Sequence, residues 1–403
     1  MNILAIETSC DETGIAVLQK QNKKKCLDIK VLSNILVSQI HVHQKYGGVY
    51  PMLAKREHQK NLTPILEKAL FEAKLLKSLK NKQSTISPQK LRTIEKILQK
   101  NQELLSPIKK SLLKYKKPDI KAIAVTVGPG LEPCLWVGVN FAKILGFYWN
   151  IPVIPVNHIE AHIIANWVGR ESESIEQQVL NTKKLFPAIC LIVSGGHTQL
   201  ILMRDYGVYK IIGETRDDAA GECFDKTARI LGLSYPGGPA IAKKATENKK
   251  SKQLNNYQIK LPRPMLYAKN YDFSFSGLKT AVLYDYKKRS KKITQSPEYI
   301  QEMSATIQQA IIDILIKKTI VAAKNVHAKT IILGGGVTAN KELRYQLKEK
   351  ITKEVPSVNY LIPHSKLCTD NAAMIGAVAF CNLDKQVNWK KINVNANLSI
   401  SNI

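Results

Sequence analysis

Two stretches constrain the fold most: "ILAIETSCDETGIAVL" at 3–18 and "AICLIVSGGHTQLILM" at 188–203. Each reads as an apolar strand, a short polar turn and a second apolar strand. The chain has 403 residues, too many for one ordinary core, which suggests two domains. Two such units, each opening one half, indicate a duplicated α/β architecture whose turns can face each other across a cleft; chance likeness of two hairpins is the alternative. Apolar positions recur at helical spacing in "YPMLAKREHQKNLTPILEKALFEAK" and more strongly in "EMSATIQQAIIDILIKKTIVAAK". In "KTIILGGGVTANKELRYQLKEKI" a strand, a glycine run and an amphipathic helix follow one another, an order suited to an anion at the helix start.

Sixty Lys and Arg against 32 Asp and Glu leave a formal charge of +28. Such a field favours polyanions such as RNA, with salt-dependent binding; a Lys-rich compositional bias is the other explanation. The start "MNILAIE" lacks the basic and long apolar regions of a secretory signal. Segment 122–156 is poor in charge, but its Pro and Gly residues favour buried strands and turns over a membrane span. Seven scattered cysteines form no CxxC, which fits reduced thiols in a cytosol-like compartment. Residues 74–117 carry 13 Lys and Arg against two Glu, with Leu91, Leu98, Leu105 and Leu112 at sevenfold spacing. This reads as a basic amphipathic helical insertion, interrupted near Pro107. It either helps bind RNA or a partner, or is a surface elaboration with no catalytic role.

In "NHIEAHI" His158 and His162 stand four apart, so on a helix both imidazoles project from one face. Glu160 is then turned roughly 200° from His158. The pattern is not the H-E-x-x-H of zinc proteases, and two imidazoles are only half a metal site. In "GETRDDAAGECFDKTARILGL" Asp218, Glu222, Asp225 and Arg229 share one helix face, either a solvated face or a polar wall toward a ligand. In "YPGGP", Gly237 and Gly238 allow close backbone approach. "CTDNAAMIGAVAF" sets Asp370 and Asn371 at a helix start, where one serves as cap and the other stays available for a ligand.

Eight motifs, among them "ETSCDETGIAVL", "YGGVYPMLAKREH", "HIEAH", "VSGGHTQL", "FSFSGLKTAV", "GGGVTANKELR" and "CTDNAAMIG", run in the order seen in the TsaD family of tRNA threonylcarbamoyladenosine transferases. The chain resembles that family over nearly its whole length, with roughly 74–117 as an extra segment. The resemblance implies an actin-like ATPase (ASKHA) fold, two ribonuclease-H-like domains around a central cleft: 1–156 with 371–403 as one half and 157–370 as the other. It implies an iron ion held by His158, His162 and Asp370, a donor set that suits ferrous iron and that zinc would tolerate. The implied reaction joins threonylcarbamoyl-AMP to N6 of adenosine at tRNA position 37, releasing AMP. Ile192, Val193, Ser194, Gly195 and Gly196 match the turn bordering the adenylate, and Asp225, Gly238 and Asn340 match further substrate contacts. Asp11, and behind it Glu12, could orient or deprotonate the amine. Implied partners are tRNA and TsaB-like and TsaE-like proteins, with no membrane and a cytoplasmic setting.

The chain departs from the family pattern at Asn157, where His is usual, and in "GPGLEPCLWVG". Its tail "NVNANLSISNI" lacks the usual Arg- and Trp-rich ending. Two rival readings are an ATP-dependent phosphotransferase of the same fold and a noncatalytic tRNA-binding subunit. The paired histidines oppose the first, since a magnesium-dependent kinase prefers oxygen ligands, and the intact acidic residues oppose the second.

Overall fold

The computed structural model describes residues 1–21, 28–79, 85–169, 185–250 and 256–402. The chain divides into two compact units. The first comprises Met1–Gln39, Val49–Ile175 and Asp370–Ile403; the second comprises Ile40–Gly48 and Glu176–Thr369. This differs from the expected halves in one respect that matters: residues 157–169 and Asp370 belong to the first unit. The reason is local, because the histidine helix continues directly from the last strand of the first sheet.

The first unit holds β1 (Asn2–Glu7), β2 (Glu12–Lys20), β3 (Ile29–Ser38), β4 (Ala122–Gly128) and β5 (Val153–Asn157) in the order β3-β2-β1-β4-β5. Strands β1–β3 form an antiparallel meander, and β4 and β5 extend it in parallel. Its helices are α1 (Pro51–Glu72), α2 (Pro88–Ile97), α3 (Leu105–Lys114), α4 (Glu132–Trp149), α5 (His158–Ile164) and, from the end of the chain, α11 (Ala372–Cys381). The charge-poor segment 122–156 is thus strand, helix and strand, and no helix among the described residues is long and apolar enough to cross a membrane.

In the second unit, β6 (Ala188–Val193), β7 (Thr198–Asp205), β8 (Val208–Glu214), β9 (Thr330–Gly334) and β10 (Asn359–Leu361) are ordered β10-β9-β6-β7-β8. Read from the other edge this is the first sheet's order, with the same antiparallel meander and parallel extension. The duplication expected from the two hairpins is present in the backbone. Its helices are α6 (Ala220–Ile230), α7 (Gly237–Lys250), α8 (Ser276–Lys288), α9 (Pro297–Asn325) and α10 (Lys341–Glu354).

Each sheet is built from nearly continuous apolar strands because helices cover it. All six residues of β1, all seven of β4 and all six of β6 are buried. α11 is buried from Ala372 to Phe380. Its small residues let it lie close on the sheet: a Cβ added at Gly376 would stand 2.3 Å from Leu18 Cδ1. That close seating fixes where the start of α11, and so Asp370, can be.

In the basic segment the leucine spacing holds at Leu98 and Leu112, whereas Leu91 and Leu105 are only half-buried and Leu104 takes a core place instead. Ile94, Leu98, Leu104, Ile108 and Leu112 are buried in the first unit's core. The interruption differs from expectation. The chain leaves α2 at Leu98 and turns through Asn101, whereas Pro107 sits in the first turn of α3, where a missing N–H costs nothing. Residues 80–84 of this stretch and Cys26 lie outside the described residues; the six described cysteines are all free thiols.

Candidate metal centre

Asn157, the last residue of β5, caps α5: its Oδ1 accepts from Ile159 N at 2.8 Å and Glu160 N at 3.1 Å. The residue that departs from the family pattern therefore starts the helix that carries both histidines. One turn apart, the His158 and His162 rings lie 4.6 Å centre to centre at 82°. Glu160 points elsewhere and accepts from Asn382 Nδ2 at 3.4 Å. At α11, Asn371 takes the capping role, its Oδ1 accepting from Met374 N at 3.1 Å. That leaves Asp370, immediately before it, for other work.

Asp370 Oδ1 lies 3.4 Å from His158 Nε2 and 3.2 Å from His162 Nε2. One potential ligand atom from each residue falls within 4.8 Å of the others. Both histidines are buried, and the approach of His162 to Asp370 is not aligned as a hydrogen bond. Among the described residues neither ring nitrogen of His162 has a hydrogen-bond partner. A buried imidazole left unpaired is costly unless something else takes its lone pair. Two imidazole nitrogens and a carboxylate converging without a filled hydrogen-bond shell fit a transition-metal ion.

Glu7 stands behind this set. It is fully buried at the end of β1; its Oε1 accepts from Ser9 N at 2.6 Å and its Oε2 from the Thr126 hydroxyl. The same Oε2 lies 3.4 Å from His158 Nδ1, and Ser9 Oγ lies 3.3 Å from that nitrogen. A carboxylate on the far nitrogen of a metal-binding histidine fixes the ring and raises its basicity. Burial alone would depress His158, but the Asp370 and Glu7 carboxylates outweigh it and hold this histidine well above its usual range. Burial would raise Asp370, yet His158 and His162 hold it well below the carboxylate range. Burial depresses His162, with Asp370 opposing and His158 adding to the shift. Cation entry would displace the His158 proton and replace its charge.

The β1–β2 turn beside these groups is clamped on every side. Thr8 Oγ1 donates to Cys134 O at 3.0 Å, Leu131 N to Ser9 O at 2.8 Å and Gln39 N to Asp11 O at 3.0 Å. His58, buried in α1, spans Thr13 Oγ1 at 2.8 Å and Cys10 O at 2.9 Å. Asp11, in this turn, and Glu12, the first residue of β2, are the two candidates for proton handling. Burial and then the Asp11 charge push Glu12 well above the carboxylate range.

In the second unit Ile192 and Val193 are fully buried, so they can offer only backbone to a ligand. Ser194, Gly195 and Gly196 form the β6–β7 turn, tied by Ser194 N to His197 O at 2.8 Å; both glycines are exposed. Two other glycines bring neighbours against it. A Cβ at Gly221, in the first turn of α6, would stand 2.4 Å from Ser194 O, and one at Gly335, where φ is +90°, 2.4 Å from Val193 O. Asp225 Oδ1 accepts from Gly237 N at 2.7 Å, and Gly238 faces open space. Asn340 caps α10, its Oδ1 accepting from Glu342 N at 2.9 Å and Leu343 N at 3.1 Å. A 3-10 turn, Gly336–Ala339, separates the glycine run from that helix. The α10 amides expected to meet an anion are thus already bonded to Asn340. The polar face of α6 is paired within itself, Lys226 meeting Asp218 at 2.7 Å and Glu222 at 2.9 Å, while Arg229 donates to Gly47 O.

Sequence reasoning found the three ligand candidates but missed Glu7, Ser9, Thr126 and His58. Only the polar Glu7 ending an otherwise apolar strand was a signal, because a carboxylate there is buried by the strand's own neighbours.

The matching family model, described as "tRNA N6-adenosine threonylcarbamoyltransferase", covers residues 30–80 and 95–377. The unmatched gap, 81–94, is narrower than the extra segment expected at 74–117. Relatives carrying that same description include one from Thermomicrobium roseum, 42% identical over 94% of this chain and 91% of its own length, and one from Bacillus subtilis, 40% identical over 96% and 92%. Among solved structures, full-length HypF in its phosphate- and nucleotide-bound form superposes with a TM-score of 0.50 at 12% identity, over 95% of this chain and 55% of HypF. That likeness concerns fold alone and agrees with an actin-like architecture. With the family model spanning most of the chain and relatives similar from end to end, the chain belongs to the tRNA N6-adenosine threonylcarbamoyltransferase family.

Proposed function

We propose that this chain transfers the threonylcarbamoyl group of threonylcarbamoyl-AMP to N6 of adenosine 37 in ANN-decoding tRNAs, in the cytoplasm and with TsaB-like and TsaE-like proteins. The convergence of His158, His162 and Asp370 carries this reading, since that donor set would hold one ferrous ion. Bound there, the ion would supply a Lewis-acid charge toward donor oxygens. The donor is a mixed anhydride with a good leaving group, so the protein mainly positions reactants and balances charge. The amine forms the new N–C bond as the C–O bond to phosphate breaks; AMP leaves with that electron pair, and N6 loses one proton.

Asp11 accepts that proton late in the step, its backbone held by the bond from Gln39 N. We assign the adenylate contacts to the Ile192–Gly196 backbone, to Asp225 as oriented by Gly237 N, and to Gly238. Asn340 acts by capping α10, and through that helix's placement. Incubating purified protein, its partner proteins, tRNA and threonylcarbamoyl-AMP, with mass analysis of nucleosides, tests the assignment. Threonylcarbamoyladenosine and AMP are expected in equal amounts. Their absence from the complete mixture refutes the reaction, and full turnover by Asp11→Ala refutes the role of Asp11.

A further inference from the structure

A second built feature lies away from the metal set, in the basic segment of the first unit. The segment leaves and rejoins the scaffold at a two-stranded clasp: Lys116 N donates to Lys77 O at 2.8 Å, and Leu79 N to Lys114 O at 3.1 Å. Its apolar underside is seated in the core through Ile94, Leu98, Ile108 and Leu112. Asn140 Nδ2 of α4 donates to Asn101 Oδ1 at 2.7 Å, tying down the turn between α2 and α3. The lysines are therefore displayed from a fixed frame. Above the clasp is a groove of about 480 Å³ lined by Thr85, Ser87, Lys90, Tyr115, Lys116, Lys117 and Tyr148 among others.

The groove is cationic without compensation. Lys90, Lys116 and Lys117 are exposed, and among the described residues no carboxylate pairs with them. Two acidic groups of this region are committed elsewhere: Asp119 to Lys121 at 2.9 Å, and Glu67 to the Tyr115 hydroxyl at 3.5 Å. Lys90 stands 5.3 Å from the centre of the Tyr148 ring, and Lys114 4.9 Å from that of Tyr115. A ring face covered by an ammonium does not serve as a stacking platform for a base. The groove presents positive charge and hydroxyl groups beside apolar Leu79, Ile86 and Leu112. The same segment exposes further cations outside the groove, Lys74, Lys96, Lys100 and Lys110. A field that outruns its groove suits a polymer of phosphates better than one small anion.

We propose that this groove and its lysine rim bind the phosphodiester backbone of tRNA, without regard to base sequence, as an auxiliary contact that holds the substrate. The inference rests on tRNA being the substrate. Nothing in it involves the metal set. Contacts of this kind release counterions, and each lost phosphate contact lowers the salt slope of binding by about 0.7 to 0.9.

The test compares intact protein with a Lys90→Ala, Lys116→Ala, Lys117→Ala variant, and with a charge-matched control carrying Lys348→Ala, Lys353→Ala and Lys391→Ala. Affinity for tRNA is measured across a salt series, with melting temperature as the check on folding. The groove variant should bind at least about 10-fold more weakly at low salt, with a log–log slope shallower by about 2, and with unchanged kcat at saturating tRNA. The control should change far less. Equal losses in both variants would reduce the effect to bulk charge and overturn the proposal. So would an unchanged slope in the groove variant, including the case where that variant loses capture of an acidic protein instead. Competition by free AMP or tripolyphosphate as effective per phosphate as tRNA would also overturn it, in favour of a small-anion site. An intact enzyme that makes no threonylcarbamoyladenosine refutes the reaction above, whereas normal product from a groove variant with unaltered tRNA binding refutes this inference alone.

Discussion

The β1–β2 and β6–β7 turns occupy the same place in two sheets of the same strand order, yet they differ in almost every other respect. The first is acidic and largely buried, and hydrogen bonds from α1, α4 and β3 clamp it. The second is a glycine turn, exposed at Gly195 and Gly196 and held mainly by a contact within itself. The duplicated backbone supplies a frame, and the residues at one position decide its chemistry. Glu7, at the end of β1, brings a buried carboxylate to an imidazole. Val193, at the equivalent end of β6, brings only apolar bulk and a carbonyl. One turn suits a cation and the other offers backbone to a ligand.

The contrast can be broken most sharply at the first-unit ligands. His162→Ala and Asp370→Ala should each weaken ferrous or cobaltous binding at least about 100-fold, since each removes one of only three candidate donor groups, a larger loss than removing a group that merely orients a donor. Chelator treatment of the intact protein should lower transfer to the same floor. Metal content near the normal level in either variant would remove the assigned difference between the turns.

Next in size is Glu7→Gln, which keeps the shape but sets an amide against the Ser9 N–H and the His158 ring. Metal affinity by competition with a chromophoric chelator should fall about 10- to 100-fold. An unaltered affinity would make Glu7 a structural residue only. Gly221→Ala and Gly335→Ala probe the other turn. Each places a Cβ against backbone at 2.4 Å and should cost about 1–3 kcal/mol in denaturant unfolding. Metal affinity should not move; if it falls in step with stability, the two turns are not separable.

The smallest effect concerns Glu12. Burial, and then the Asp11 charge, raise its folded-state pKa above the ordinary 4.5, so between the two values the folded state binds more protons than the unfolded chain. Its contribution is fully present below that ordinary value and is lost as pH rises toward the raised one. Glu12→Gln should therefore be neutral near pH 4 and more stable than the parent at pH 7–8, by roughly 2–4 °C in Tm for each kcal/mol recovered. A lower Tm at neutral pH would contradict the upward shift.

The hairpins, the long helices and the histidine pair were legible because they depend on local periodicity: alternation and apolar runs for strands, a four-residue interval for one helix face. Asp370 could be singled out because Asn371 already satisfied the need for a cap. Less was readable where side chains compete for partners. Asn340 matched a substrate-contact motif, and its part as the cap of α10 was not visible beside that match. Pro107 looked like the break in the basic segment, but the chain turns earlier, where Asn101 is anchored to Asn140.

What the sequence determined by itself was the duplicated architecture, the family and the identity of the three convergent ligand candidates, since each is written in spacing and order along the chain. Only the tertiary structure decided that His158, His162 and Asp370 belong to one unit, that Glu7 stands behind His158, and that burial shifts Glu12 upward. Those outcomes depend on which groups burial brings together across more than a hundred residues of chain, and desolvation and charge act through space with no regard to sequence interval.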